Sequence, residues 1–194
     1  MNIKKFFFIL INLDFKLLKR KNYLIFDEVN SDYIAYYLKD KSYNVIRFRD
    51  NKYNFFALVY ALIFFFRSEI KIEYINFFLN FSEKKKIFSF NYNRLILYRI
   101  KKYYPNVQIF VIQNGLSNRK FVEKLTRNPF DYSCDYFFCM SAYEKGIFQK
   151  YIKSNFIVIE SFKNNFFSKN KNNRIKSREI VFVSQYRVNK CYPF

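Results

Sequence analysis

The sequence predicts an α/β domain, a doubly wound, mostly parallel Rossmann-like sheet. Two observations predict it. Apolar runs of four to six residues recur along the chain, and a stretch with helical spacing or helix-capping residues separates most of them. That alternation is the pattern of strands buried between two layers of helix. The chain has 194 residues, of which 51% are hydrophobic and 24% aromatic. A disordered basic tail would be poor in both. A chain of this size buries about 70% of its unfolded surface, enough for one core.

Tyr23 to Phe26 is the first strand and ends at Asp27-Glu28. Ser31 and Asp32 are suited to cap a helix running to about Leu38. Tyr43 to Phe48 is the second strand. Phe55 to Phe66 (FFALVYALIFFF) reads as a buried core helix, because twelve apolar residues fall well short of the roughly 20 that span a bilayer. Ile70 to Phe81 is helix-like, and Lys86 to Phe90 is the third strand. Asn93 to Tyr104 is an amphipathic helix, with Leu95, Leu97, Tyr98 and Ile100 among Arg94, Arg99, Lys101 and Lys102, stopped by Pro105. Gln108 to Ile112 is the fourth strand, followed by a long polar segment, Leu116 to Phe130. Tyr136 to Cys139 is the fifth strand, Ser141 to Tyr151 a helix, and Phe156 to Ile159 the sixth strand.

Residues 1–20 form a basic amphipathic segment, and residues 21–167 form the Rossmann-like domain. Residues 168–178 (SKNKNNRIKSR) lack hydrophobic periodicity and read as a linker. Residues 179–194 open with an apolar strand, Glu179 to Ser184, and read as the start of a second domain.

Absences exclude whole chemistries. The chain has no histidine, and its two glycines are Gly115 and Gly146. No imidazole base, Ser-His-Asp triad or His-based zinc site is available. Neither G-x-G-x-x-G nor a P-loop can be written. No metal site and no resident cofactor are expected. Cys134, Cys139 and Cys191 show no C-x-x-C spacing, and Cys134 and Cys139 flank a strand-like run as core thiols.

The formal charge is +20. Part of it has an ordinary source, since Lys, Asn, Ile, Phe and Tyr share AT-rich codons. Its functional readings are an anionic membrane surface, nucleic acid, or phosphorylated substrates. Met1 to Arg20 has a short apolar run between basic clusters, interrupted by Asp14 and lacking a cleavage site; it suits a membrane interface or an ordinary packing helix. The aromatic and basic texture could serve single-stranded nucleic acid, but the aromatics fall within the expected cores, so this partner is disfavoured.

Ligands of a doubly wound sheet bind beyond the carboxyl ends of its strands. The residues there are Asp27 and Glu28, Asn91 and Asn93, Gln113 to Gly115, Met140 and Ser141, and Ser161 and Lys163. Asp27 or Glu28 could act as a general base or hold a sugar hydroxyl; either could instead be a charge favoured by a helix N-terminus. Asn114-Gly115 favours a turn with positive φ, and is either a plain turn or a ligand edge. Ser161 to Asn165, with Lys163, could hold a phosphate; the ordinary alternative is a cap and a solvated lysine.

Taken in order, Leu24 to Asp27, Tyr98 to Pro105, Ile112 to Gly115, Asp135 to Cys139, Ile159 to Asn165 and Val183 to Arg187 resemble bacterial surface carbohydrate biosynthesis proteins with a glycosyltransferase-B-like fold, of capsule or O-antigen type. The resemblance implies two Rossmann-like domains facing a cleft. This chain would supply the acceptor side and a following domain the nucleotide-activated sugar donor site. On that reading the donor-binding domain is missing after Phe194, and the isolated chain turns over nothing. Related transferases place His-Gly where this chain has Asn114-Gly115, and Asn cannot act as a base, so the resemblance shifts that role to Asp27 or Glu28. Gln113, Asn114, Gly115, Ser161, Lys163 and Asn164 would contact a lipid-linked or glycan acceptor, and Gln185 and Arg187 would stand at the donor entrance. The implied location is the cytoplasm, peripheral on the inner membrane. The competing readings are a non-enzymatic module for nucleic acid or acidic glycan, and a non-functional fragment.

Overall fold

The computed structural model describes residues 12–28, 30–38, 42–47, 52–117, 119–127 and 132–162. In chain order the strands are β1 (Leu13–Asp14), β2 (Lys21–Phe26), β3 (Tyr43–Ile46), β4 (Tyr53–Asn54), β5 (Ser82–Ser89), β6 (Gln108–Ile112), β7 (Tyr132–Cys139) and β8 (Ile152–Val158). The helices are α1 (Ser31–Tyr37), α2 (Phe55–Phe64), α3 (Ile70–Asn80), α4 (Leu95–Tyr103), α5 (Arg119–Arg127) and α6 (Ala142–Phe148). Six strands form one parallel sheet in the order β3-β2-β5-β6-β7-β8, and β1 pairs with β4 separately. The α/β doubly wound fold expected from the sequence is the fold observed.

The direction in which the chain advances across the sheet reverses between β2 and β5. From β2 the chain steps outward through α1 to β3. It then crosses back over β2 through α2 and α3 to β5 and advances strand by strand to β8. Right-handed crossovers in opposite directions place helices on opposite faces. One face therefore carries the main core: Leu24, Phe26, Ile87, Ile109, Val111 and Phe137 meet side chains of α3, α4, α5 and α6, including Ile75, Tyr98, Phe121 and Phe148. The other face carries α1, through Ile34, and the segment after β8, through Phe162.

Local chemistry explains the helix ends. Asn54 precedes α2, and its side chain accepts a hydrogen bond from the Ala57 N–H at 3.0 Å. Ser141 does the same for Glu144 at the start of α6, at 3.2 Å. α4 ends before Pro105 with Lys101 and Lys102 in its last turn, where cations suit the helix dipole. Lys101 pairs with Asp135 at 2.8 Å, and the other Asp135 oxygen accepts from the Ile109 N–H at 2.7 Å, which ties α4 to β6 and β7.

Two expectations need correction. The segment Leu116 to Phe130, read as polar connection, contains α5. Its signal is Phe121 and Leu125, one helical turn apart and both buried among charged neighbours. And α2 is not a buried core helix. It buries only Ala57 and Ala61, while Leu62, Ile63, Phe65 and Phe66 at its C-terminal end are more than half exposed. A helix that is apolar all round has no moment to say which face turns inward. Its small residues decide, because they allow the closest approach to α3.

Cys134 and Cys139 are buried free thiols in β7, as expected of core cysteines. Burial pushes both up to about 12. Among the described residues no helix is long and apolar enough to cross a membrane.

Candidate functional site at the carboxyl ends of the sheet

The point where a doubly wound sheet reverses direction opens a crevice beyond its strand ends. Here that point lies between β2 and β5, so the residues that follow these strands define it. Asp27 follows β2 with φ 75°, and Asn30 opens α1 with φ 61°. Asp and Asn tolerate this left-handed conformation better than other side-bearing residues. Asp27 is 1% exposed, and its Oδ2 accepts a hydrogen bond from Asn91 Nδ2, the residue two beyond β5. The Ser89 hydroxyl fixes Asn91 in turn: it accepts from the Asn91 N–H at 2.9 Å and donates to the Phe26 carbonyl at 3.3 Å. A carboxylate and an amide 64 positions apart are thus joined across the switch point.

Glu28, adjacent in sequence, faces a different strand end. It pairs with Arg47, beyond β3, at 3.1 Å, with both side chains more than two-fifths exposed. Such a pair contributes little stability.

A pocket of about 500 Å³ opens beside the switch point. Its lining includes Phe26, immediately before Asp27, and Asn93 and Arg94, two and three residues after Asn91. Leu58, Ile70, Leu95 and Ile96 give it an apolar lining, and Lys71, Arg94 and Lys124 supply three cations from α3, the start of α4 and α5.

A second polar assembly stands at the ends of β6 and β7. Gln113 is 1% exposed and Glu144 2% exposed. Gln113 Nε2 donates to Glu144 Oε2 at 2.9 Å and to the Gly115 carbonyl at 2.8 Å, and its Oε1 accepts from the Met140 N–H at 3.0 Å. Glu144 Oε1 accepts from the Ser117 N–H at 3.1 Å. The polar atoms of Gln113 are spent on holding the 113–117 loop, in which Asn114 and Gly115 are half-buried and Leu116 is exposed. The expected positive φ at Asn114-Gly115 is absent, because two side chains rather than a left-handed turn shape the loop. A Cβ at Gly115 would meet open space.

After β8 the chain turns at Glu160, φ 57°, and carries Ser161 and Phe162 back over the sheet. The Phe162 ring lies 5.2 Å from Phe90 and 5.1 Å from Tyr37, so this segment reaches the flank of the switch point. Lys163, Asn164, Gln185 and Arg187, together with residues 168–194, lie outside the described residues.

The sequence reading pointed to Asp27, Gln113 and Asn91 and missed Glu144 and the pocket cations Lys71 and Lys124. Helix-borne acids and lysines carry no local mark that tells a network or a pocket from a solvated face. Among the described residues no three Cys, Asp or Glu side chains converge as a metal site.

Comparison with known proteins gives one finding. Residues 109–194, a little under half of the chain, match a family model described as "putative O-antigen biosynthesis protein". No curated protein matches. No solved structure matches either. The matched stretch begins in β6 and includes Gln113 to Gly115, Glu144 and Ser161, and its similarity supports a part in surface carbohydrate biosynthesis.

Proposed function

We propose that this chain is the acceptor-side part of a glycosyltransferase-like protein of surface-polysaccharide biosynthesis. It would help transfer a sugar or sugar-phosphate type group from a nucleotide-activated donor to a lipid-linked or glycan acceptor. The observation that carries the reading is the pocket beside the switch point, apolar in its lining and ringed by Lys71, Arg94 and Lys124. A lipid-linked phosphate has the same divided chemistry. Its chain suits Leu58, Ile70, Leu95 and Ile96, and its phosphate suits the three cations. The O-antigen similarity of residues 109–194 supports the same class of pathway.

In this reading an acceptor hydroxyl attacks the donor's transferred carbon or phosphorus, the nucleotide leaves, and the hydroxyl proton passes to a base. Asp27 is that base. Its carboxylate is buried and held by Asn91, so on this reading the acceptor hydroxyl would have to open this end of the sheet to reach it. Asn114 and Gly115 edge the acceptor cleft, with Ser161, Lys163 and Asn164 toward its polar groups. Donor binding belongs to a second domain, with Gln185 and Arg187 at its entrance. The reaction would take place in the cytoplasm at the inner membrane.

The rival reading, a nucleic-acid module, needs ring faces open for bases. The aromatic row on the less covered sheet face does not offer them. Phe88 stacks on Phe110 at 4.8 Å and Phe110 on Tyr136 at 5.2 Å, so the rings use their faces on one another.

The test is transfer of label from a panel of nucleotide sugars to polyprenyl-phosphate-linked acceptors, by the full-length protein. Lys71→Ala with Arg94→Ala should raise the acceptor KM by about tenfold or more through lost charge-assisted contacts. No transfer from any donor, or an unchanged KM, would remove the reading.

A further inference from the structure

We propose that the outward face of α2, together with Phe15 and Leu17 beside its N-terminus, docks on an anionic lipid bilayer without crossing it. Val59, Leu62 and Ile63 on α2 and Phe66 just beyond its end recur at helical spacing and form one exposed apolar stripe. The Phe15 ring lies 5.0 Å from that of Phe55, so the N-terminal strand segment extends the stripe, and Leu17 beyond it is 72% exposed. Contiguous apolar surface of this kind marks a docking site.

Charge identifies the partner. Residues 52–68 contain Lys52 and Arg67 and no Asp or Glu, and Lys16 stands between Phe15 and Leu17. Asp14 is the one acid in the adjoining described segment 12–21. The Arg67 guanidinium lies over the Phe64 ring at 4.4 Å and the Phe66 ring at 5.7 Å. Apolar side chains rimmed by cations match the boundary between acyl chains and anionic headgroups. At ten residues α2 is about 15 Å long, half the roughly 30 Å hydrocarbon core, so it can lie in the interface but not span it. None of the stripe residues lines the pocket beside the switch point, and this inference is independent of the transfer reading. Vesicle binding can fail while transfer to a soluble acceptor persists, and the reverse.

The chain has no tryptophan, so Ile63→Trp installs a single reporter at the centre of the stripe. In the full chain its emission should move to the blue on adding phosphatidylcholine vesicles containing phosphatidylglycerol, and brominated lipid should quench it. In cosedimentation, Leu62→Asp with Phe66→Asp should weaken partitioning to those vesicles by about tenfold or more, and added salt should weaken that of the parent. Both positions are exposed, so the melting temperature should hold. Emission already blue in buffer and indifferent to vesicles would mean that residues 1–11 or a second copy of the chain cover the face, and would overturn the proposal. So would a double variant that partitions as tightly as the parent.

Discussion

Two polar assemblies stand at the carboxyl ends of one sheet, and they follow opposite plans. The Gln113–Glu144 assembly closes on itself. Every hydrogen bond described for its two side chains goes to the other or to the backbone of residues 115–117 and 140, which ties the loop to the ends of β6 and β7. The Asp27–Asn91 assembly joins the two strands at which the sheet reverses, beside a cationic pocket, on a backbone in the left-handed region. Strained backbone and a buried carboxylate together are costly features that concentrate at working sites. The difference teaches that equal burial can serve different places in the topology: one assembly ties a loop, the other ties the two strands at the switch point.

The largest effect should come from Asp27→Asn. If Asp27 is the base, transfer falls by about 100-fold or more. Asparagine can still accept from Asn91, so unfolding free energy should move by only about 1 kcal/mol. Transfer near the parent rate would reduce this assembly to a second structural tie.

Glu144→Ala should do the reverse. It strands the Gln113 amide and the Ser117 N–H, at a cost of about 3 kcal/mol read from urea denaturation. A parent-like midpoint would show that the loop holds its shape without the carboxylate.

Alkaline titration comes next. Cys139 ends β7 one residue before Met140, and burial first, then the Glu144 carboxylate, pushes its thiol up to about 12; burial does the same for Cys134. Below the ordinary thiol value of 9.0 both folded and unfolded chains keep these protons, so nothing is gained or lost. Between there and about 12 the unfolded chain alone releases them, so stability falls as pH rises. Thermal melts over that range should show the loss, and Cys134→Ala with Cys139→Ala should lessen it, the remainder coming from the Tyr74, Tyr98 and Tyr104 hydroxyls, which burial also raises. A slope unchanged in that variant would mean that both thiols titrate alike in the two states.

The smallest effect is expected of Gly115→Ala. Its φ is not positive and the added methyl meets open space, so stability should stay within about 0.5 kcal/mol. A rise in acceptor KM at unchanged stability would sharpen the view of this loop as an acceptor edge.

Much of this was legible in residue order. Gln108 to Ile112 was read with both strand boundaries as observed, because a continuous apolar run bounded by polar residues has few other uses. α4 was legible from its alternation of apolar and basic residues. Asp27 and Asn91 were each legible as strand-end residues, but not as a pair. Glu144 was not legible, since an acid in a first helical turn looks the same whether it faces water or a buried glutamine. The positive φ that Asn114-Gly115 favours is absent because local preference lost to the Gln113 and Glu144 side chains.

The sequence by itself determined the parallel α/β class, the six strands of the main sheet though not β1 and β4, and most helices, because apolar periodicity and capping are properties of neighbours along the chain. Only the tertiary structure decided the strand order, and with it which strand ends meet: β2 with β5, and so Asp27 with Asn91. It also decided which face of α2 turns outward. In both cases the deciding energy comes from contacts between distant segments, and a helix apolar on every side or a strand buried on both faces carries no local record of its partner.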